Sequence, residues 1–137
     1  MAATRVFLDT IAFESFINRG HPKHLSAIEA FESLARLNAY LYTSTLVIAD
    51  LHDYLLANLG YNLAREFVKI LPLTSIGTLR PTPRDESRAY KTINTPATQN
   101  IDYKTALHIS MIARSGITHA FSTSPHFPQH RIALIGT

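Results

Sequence analysis

The sequence predicts an α/β domain, a three-layer α/β/α sandwich with a central parallel sheet of four to five strands. Short apolar runs alternate with stretches of helical periodicity, the pattern of a parallel sheet built from strand–helix–strand units. The first run, Val6-Phe7-Leu8, ends on Asp9 and passes directly into a helical pattern. That is how α/β proteins deliver a carboxylate to the crevice outside the sheet where ligands bind. Finally, 137 residues with 46% apolar and 17% charged content suit one globular domain, residues 1–137, and no linker, repeat or low-complexity tract divides it.

Val6 to Leu8 read as a buried first strand, followed by a short helix from Thr10 to Asn18 that Arg19-Gly20-His21-Pro22 stops. A second helix runs from about Lys23 to Asn38, with Leu25, Ile28, Phe31, Leu34 and Ala35 on one face. Tyr40 to Thr43 form the second strand. Ser44 or Thr45 caps the next helix, whose helical spacing lasts to Gly60. Asn62 to Leu71 make another amphipathic helix closed by Pro72, and Thr78 to Pro81 a short edge strand where proline is tolerated. Pro83-Arg84-Asp85-Glu86 opens a helix with proline in its first turn and acids where the dipole favours them, ending before Asn94-Thr95-Pro96. Ala97 to Ile101 are a polar connector. Asp102 caps the strongly patterned helix Tyr103 to Arg114, stopped by Ser115-Gly116. His119 to Thr123 read as a strand, Ser124 to His130 as a loop, and Ile132 to Ile135 as the last strand.

The absence of cysteine excludes disulfides and thiolate zinc sites. No apolar stretch approaches a membrane span and none resembles a signal peptide, so a cytoplasmic protein with no membrane partner is expected. The net charge is +3 and unevenly placed: from Tyr103 to Thr137 there is no Asp or Glu, and only Lys104, Arg114 and Arg131 are charged. A mild basic balance permits nucleic-acid contact without demanding it.

Several chemistries place an Asp after a first strand. Dinucleotide binders need glycines in that turn, and Asp9-Thr10-Ile11-Ala12-Phe13 has none. An aspartyl-phosphate phosphatase needs an acid two residues on, where Ile11 stands, and no Gly-x4-Gly-Lys loop exists to cradle phosphates. Zinc bound by histidine is disfavoured: no His-Glu-x-x-His occurs, and Pro128 lies between His126 and His130.

Four segments together resemble the PIN-domain nucleases, including the compact VapC-type toxin ribonucleases: Val6 to Thr10; Thr43 to Leu51; Thr105 to Ile109 with Ala113 to Ile117; and Thr118 to Phe127. The similarity spans about residue 4 to residue 136. It implies a metal site of four acids, one after the first strand, a Glu on the helix after the second, one opening the helix after the connector, and one after the fourth strand. At those positions this chain has Asp9, Asp50, Thr105 and Ser124. Only Asp9 matches fully; Asp50 is a shortened acid, and two positions carry hydroxyls.

Mg²⁺ or Mn²⁺ at such a site would activate water and neutralise charge on the scissile phosphate, and it requires hard, charged oxygen ligands. Thr105 and Ser124 are weak neutral ligands, and Asp50 withdraws its carboxylate by roughly 1.5 Å relative to Glu. Weak Mg²⁺ or Mn²⁺ binding by Asp9 and Asp50, with no cofactor resident, is therefore expected. Asp53 and Asp102 each lie one turn from a site position, displaced by about 4.5 Å along a helix axis, and are read as a solvated residue and an N-cap. His108 is expected to pack and hydrogen-bond inside the fold. Candidate RNA contacts are Thr10, Ser44, Lys104 and His126, with Arg19 and Lys23 as further basic candidates near helix N-termini. The resemblance also implies a homodimer and an antitoxin-like protein partner. The function expected is a PIN-like protein, catalytically impaired or inactive, that binds RNA or a protein; the alternative is an active Mg/Mn-dependent endoribonuclease of a toxin–antitoxin pair using Asp9 and Asp50.

Overall fold

The computed structural model describes residues 4–98 and 100–136. In chain order the elements are β1 (Arg5–Leu8), α1 (Thr10–Ile17), α2 (His24–Arg36), β2 (Tyr40–Ser44), α3 (Thr45–Asn58), α4 (Tyr61–Ile70), β3 (Gly77–Leu79), α5 (Pro83–Ile93), α6 (Tyr103–Arg114), β4 (His119–Phe121), α7 (His126–Gln129) and β5 (Ala133–Ile135). Single 3-10 turns occupy Leu71–Leu73 and Pro96–Thr98. All strand pairings are parallel, in the order β3-β2-β1-β4-β5.

That order explains where a site can form. The chain steps from β1 outward to β2 and β3, then crosses back to lay β4 on the other flank of β1. The carboxyl ends of β1 and β4 thus diverge at a topological switch point, which opens a crevice. Val6, Phe7 and Leu8 of β1 are fully buried, each worth about 1.5–3 kcal/mol of hydrophobic stabilisation. Successive side chains point to opposite faces. Phe7 meets the His108 ring of α6 at 4.8 Å and Phe127 of α7 at 6.4 Å, whereas Phe121 of β4 meets Phe31 of α2 at 5.5 Å. Helices therefore cover both faces of the sheet.

Helix α6 is buried continuously from Thr105 to Ile112, because α5 covers the side that the sheet does not. A helix enclosed all round needs no polar stripe. It ends at Gly116, whose φ of +69° is open to a residue without Cβ, with the Ile117 N–H returning to the Ile112 carbonyl at 3.2 Å.

Several boundaries differ from expectation. Helix α2 stops at Arg36, and Asn38 takes a left-handed φ of 52°, a conformation its short amide side chain tolerates. Strand β3 is Gly77–Leu79 and excludes Pro81, which has no N–H for the ladder. Strand β4 ends at Phe121, so Ser122 and Thr123 leave the sheet for the crevice. The stretch Ser124 to His130, expected as a loop, holds α7, which proline allows because it falls within the first turn. No helix among the described residues is long and apolar enough to cross a membrane.

Candidate functional site

Asp9 sits where β1 hands over to α1, and both of its carboxylate oxygens are engaged. Oδ1 accepts the Thr10 N–H at 2.8 Å, and Oδ2 accepts the Ser122 hydroxyl at 2.6 Å. Ser122 lies opposite because the pairing of Leu8 with Phe121 continues one step beyond the strands, fixed by the Asp9 N–H to the Phe121 carbonyl at 3.1 Å. Ser122 is itself buried, and its oxygen also accepts the Ser124 N–H at 3.1 Å.

Across the crevice, Asp102 caps α6 by accepting the Thr105 N–H at 2.6 Å. Burial alone would raise the Asp102 carboxyl, but the hydrogen bonds from Thr105 and the nearby Lys104 charge hold it below the usual aspartate value. Thr105 is almost fully buried beneath the cap. The preceding residue, Lys104, reaches the other way: its Nζ donates to Asp50 Oδ2 on α3 at 2.6 Å. The Asp50 hydrogen bond raises the Lys104 ammonium above its ordinary value, overcoming partial burial.

These groups border a cleft of about 490 Å³ whose lining includes Asp9, Thr10, Glu14, Asp102, Lys104 and Thr105, closed on the β4 side by Ser122, Ser124 and His126. Glu14 was not anticipated. It stands four residues beyond Thr10, hence on the same face of α1, and that i, i+4 spacing was the available signal. Burial raises its carboxyl first, the Asp9 and Asp50 charges raise it further, and Lys104 partly opposes them. The cleft accordingly holds mutually repelling acids with one neighbouring ammonium.

The other expected residues are distributed unevenly. Thr10, Lys104 and His126 line the cleft, as do Asp9, Thr105 and Ser124. Ser44 does not: it is fully buried, caps α3 through the Val47 N–H at 3.1 Å, and places its Oγ 2.7 Å from His108 Nε2, leaving no surface for an RNA contact. Burial pushes the His108 imidazole down to about 4, so it is neutral at ordinary pH. Asp50 stands beside the cleft through Lys104, while Asp53 is exposed and, like Arg19 and Lys23, outside the lining. Thr10 Oγ1 and His126 Nδ1 are buried polar atoms with no hydrogen-bond partner among the described residues.

No family model matches the sequence, and no curated protein matches it. Solved structures do. The VapC20 toxin of Mycobacterium tuberculosis, described as cleaving the sarcin–ricin loop, superposes with a TM-score of 0.79 at 17% identity, over 93% of this chain and 96% of that one. The fold is that of the VapC-type PIN-domain toxins. VapBC2 from Rickettsia felis, solved on a DNA fragment of its promoter, gives a TM-score of 0.71 at 15% identity, over 96% of this chain and 98% of that one. VapBC-1 from nontypeable Haemophilus influenzae gives 0.67 at 17% identity, over 96% and 97%. The PIN fold thus accounts for nearly the whole chain.

A PIN-type metal site requires several charged oxygens converging on one point. Among the described residues no three His, Asp or Glu side chains converge closely enough to hold a metal ion. Asp50 faces an ammonium, and hydroxyls occupy positions 105 and 124.

Proposed function

We propose that this chain is a catalytically impaired PIN-fold protein, related in architecture to the VapC toxins, that binds RNA or an antitoxin-like protein partner without efficient cleavage. The observation that carries the reading is the Lys104–Asp50 ion pair at 2.6 Å, which satisfies with an internal cation one of the two site acids the chain retains. Asp9, the other, already accepts two hydrogen bonds. Mg²⁺ or Mn²⁺ is bound weakly at most, because capture of the ion depends on charged ligands that Thr105 and Ser124 do not provide. The persistence of the cleft, with Thr10, Lys104 and His126 in its lining, supports a retained binding role. A partner is supported by the solved VapBC assemblies of Rickettsia felis and Haemophilus influenzae that share the fold. Homodimerisation belongs to the same proposal.

Glu14 favours a second reading, an active endoribonuclease in which this acid compensates for a lost one. Its carboxyl feels both Asp9 and Asp50, although that chemistry requires Asp50 to leave Lys104. Cleavage of single-stranded RNA with added Mg²⁺ or Mn²⁺, for the wild type and Asp9→Asn, separates the readings. No metal-dependent cleavage by the wild type is expected; cleavage that Asp9→Asn abolishes would establish the active enzyme.

A further inference from the structure

A row of exposed cations on α5 lies outside the cleft lining. On α5, Arg84, Ser87, Arg88 and Lys91 are all exposed, the last three lying three, four and seven residues beyond Arg84 and so along a single helical stripe. Arg84 to Lys91 span about 10 Å along the axis. The three ion pairs formed by the described residues include none of these cations. Of the two acids on α5, Asp85 is buried and bonded to Arg114, and Glu86 projects from the opposite side of the helix, two residues from Arg84.

The stripe also borders a concave surface. A groove of about 500 Å³ runs past Arg84, Ser87, Arg88 and Lys91, and Arg88 and Lys91 are shared with an adjoining groove of about 320 Å³ floored by Ile109 and Ala113 of α6. One end of this surface is cationic and hydroxylated, and the other is apolar. An unpaired nucleic-acid strand has that character, with a regular row of phosphates beside flat apolar base faces. Arginine forks suit phosphate oxygens in particular. The cleft offers the reverse electrostatics, with Asp9, Glu14 and Asp102 outnumbering Lys104.

We propose that the α5 face binds the backbone of a single RNA strand, without metal and outside the cleft. The proposal rests on the reading that this protein binds RNA, and it places that contact on α5.

Fluorescence anisotropy with a labelled single-stranded RNA of mixed sequence, in EDTA, tests it. Three ionic contacts to a single strand give a log–log salt dependence of about −2. Arg84→Gln/Arg88→Gln/Lys91→Gln should weaken binding by on the order of tenfold or more at low salt and flatten that slope towards zero. The control Lys69→Gln, at an exposed basic position on α4, should bind as the wild type does. A thermal midpoint matching the wild type confirms that the triple variant is folded, and charge reversal at the same exposed positions should deepen the loss. Absence of wild-type binding in EDTA, an unaffected triple variant, or displacement of the RNA by polyglutamate at equal charge would each overturn the assignment, the last by making an acidic protein segment the occupant. Absence of wild-type binding would also remove RNA from the proposed function, whereas RNA binding that the triple variant keeps would overturn the α5 assignment alone; cleavage is measured separately.

Discussion

Lys104 of α6 and Asp50 of α3 meet at 2.6 Å, joining through an ammonium two elements to which the PIN-nuclease resemblance assigns acids facing a shared metal. The pair is partly exposed, with 45% and 40% of the two side chains accessible, so its worth to stability is small, about 0–1 kcal/mol. Within the cleft, Lys104 partly offsets the repulsion that Glu14 feels from Asp9 and Asp50.

Lys104→Met should therefore raise the Glu14 carboxyl further while leaving the unfolding midpoint almost unchanged. Carboxyl-resolved NMR titration of both proteins checks this. An unmoved Glu14 would mean that Lys104 does not govern the charge of the cleft.

Restoring acids is the converse experiment. Thr105→Asp with Ser124→Asp, combined with Lys104→Met to release Asp50, should produce Mn²⁺ binding detectable by calorimetry where the wild type shows little. A titration as flat as that of the wild type would show that positions 105 and 124 are not where the missing ligands belong.

His108 makes stability depend on pH. Its folded value of about 4 lies below the ordinary value near 6.5, so the unfolded chain takes up a proton first as pH falls. The contribution is complete above about pH 6.5 and declines as pH falls towards 4, by on the order of 3 kcal/mol in all. Denaturant unfolding at stepped pH should show this slope, and His108→Gln should flatten it; equal slopes would place the titrating group elsewhere.

Asp85 is the buried acid that ties α5 to α6. It accepts the Ser110 hydroxyl at 2.7 Å and Arg114 Nε at 3.0 Å, and it closes a capping box with Thr82. Burial alone would raise its carboxyl, but the hydrogen bonds from Thr82, Ser110 and Arg114 together hold it below the usual value. Its stabilisation is accordingly full above about pH 4 and is lost as pH falls through the lower folded value. Asp85→Ala should cost about 2–4 kcal/mol, somewhat reduced because Arg114 remains partly in water. A loss below about 0.5 kcal/mol in urea unfolding would show that the network is not a structural tie.

Local patterning determined most of the architecture. The apolar triplet before Asp9, the caps at Ser44 and Asp102 and the Ser115-Gly116 stop are readable because each depends on neighbours within a turn or two. The same locality exposed the hydroxyls at 105 and 124, since they fall inside recognisable segments. Only the tertiary structure decided which charges meet. Asp50 and Lys104 are 54 residues apart in sequence, Ser122 reaches Asp9 through the β1–β4 register, and Ser44 is drawn inward by His108. Periodicity records which side of an element faces inward, whereas hydrogen bonds between distant elements depend on how those elements dock, and a parallel sheet joins them through crossovers that leave no local trace.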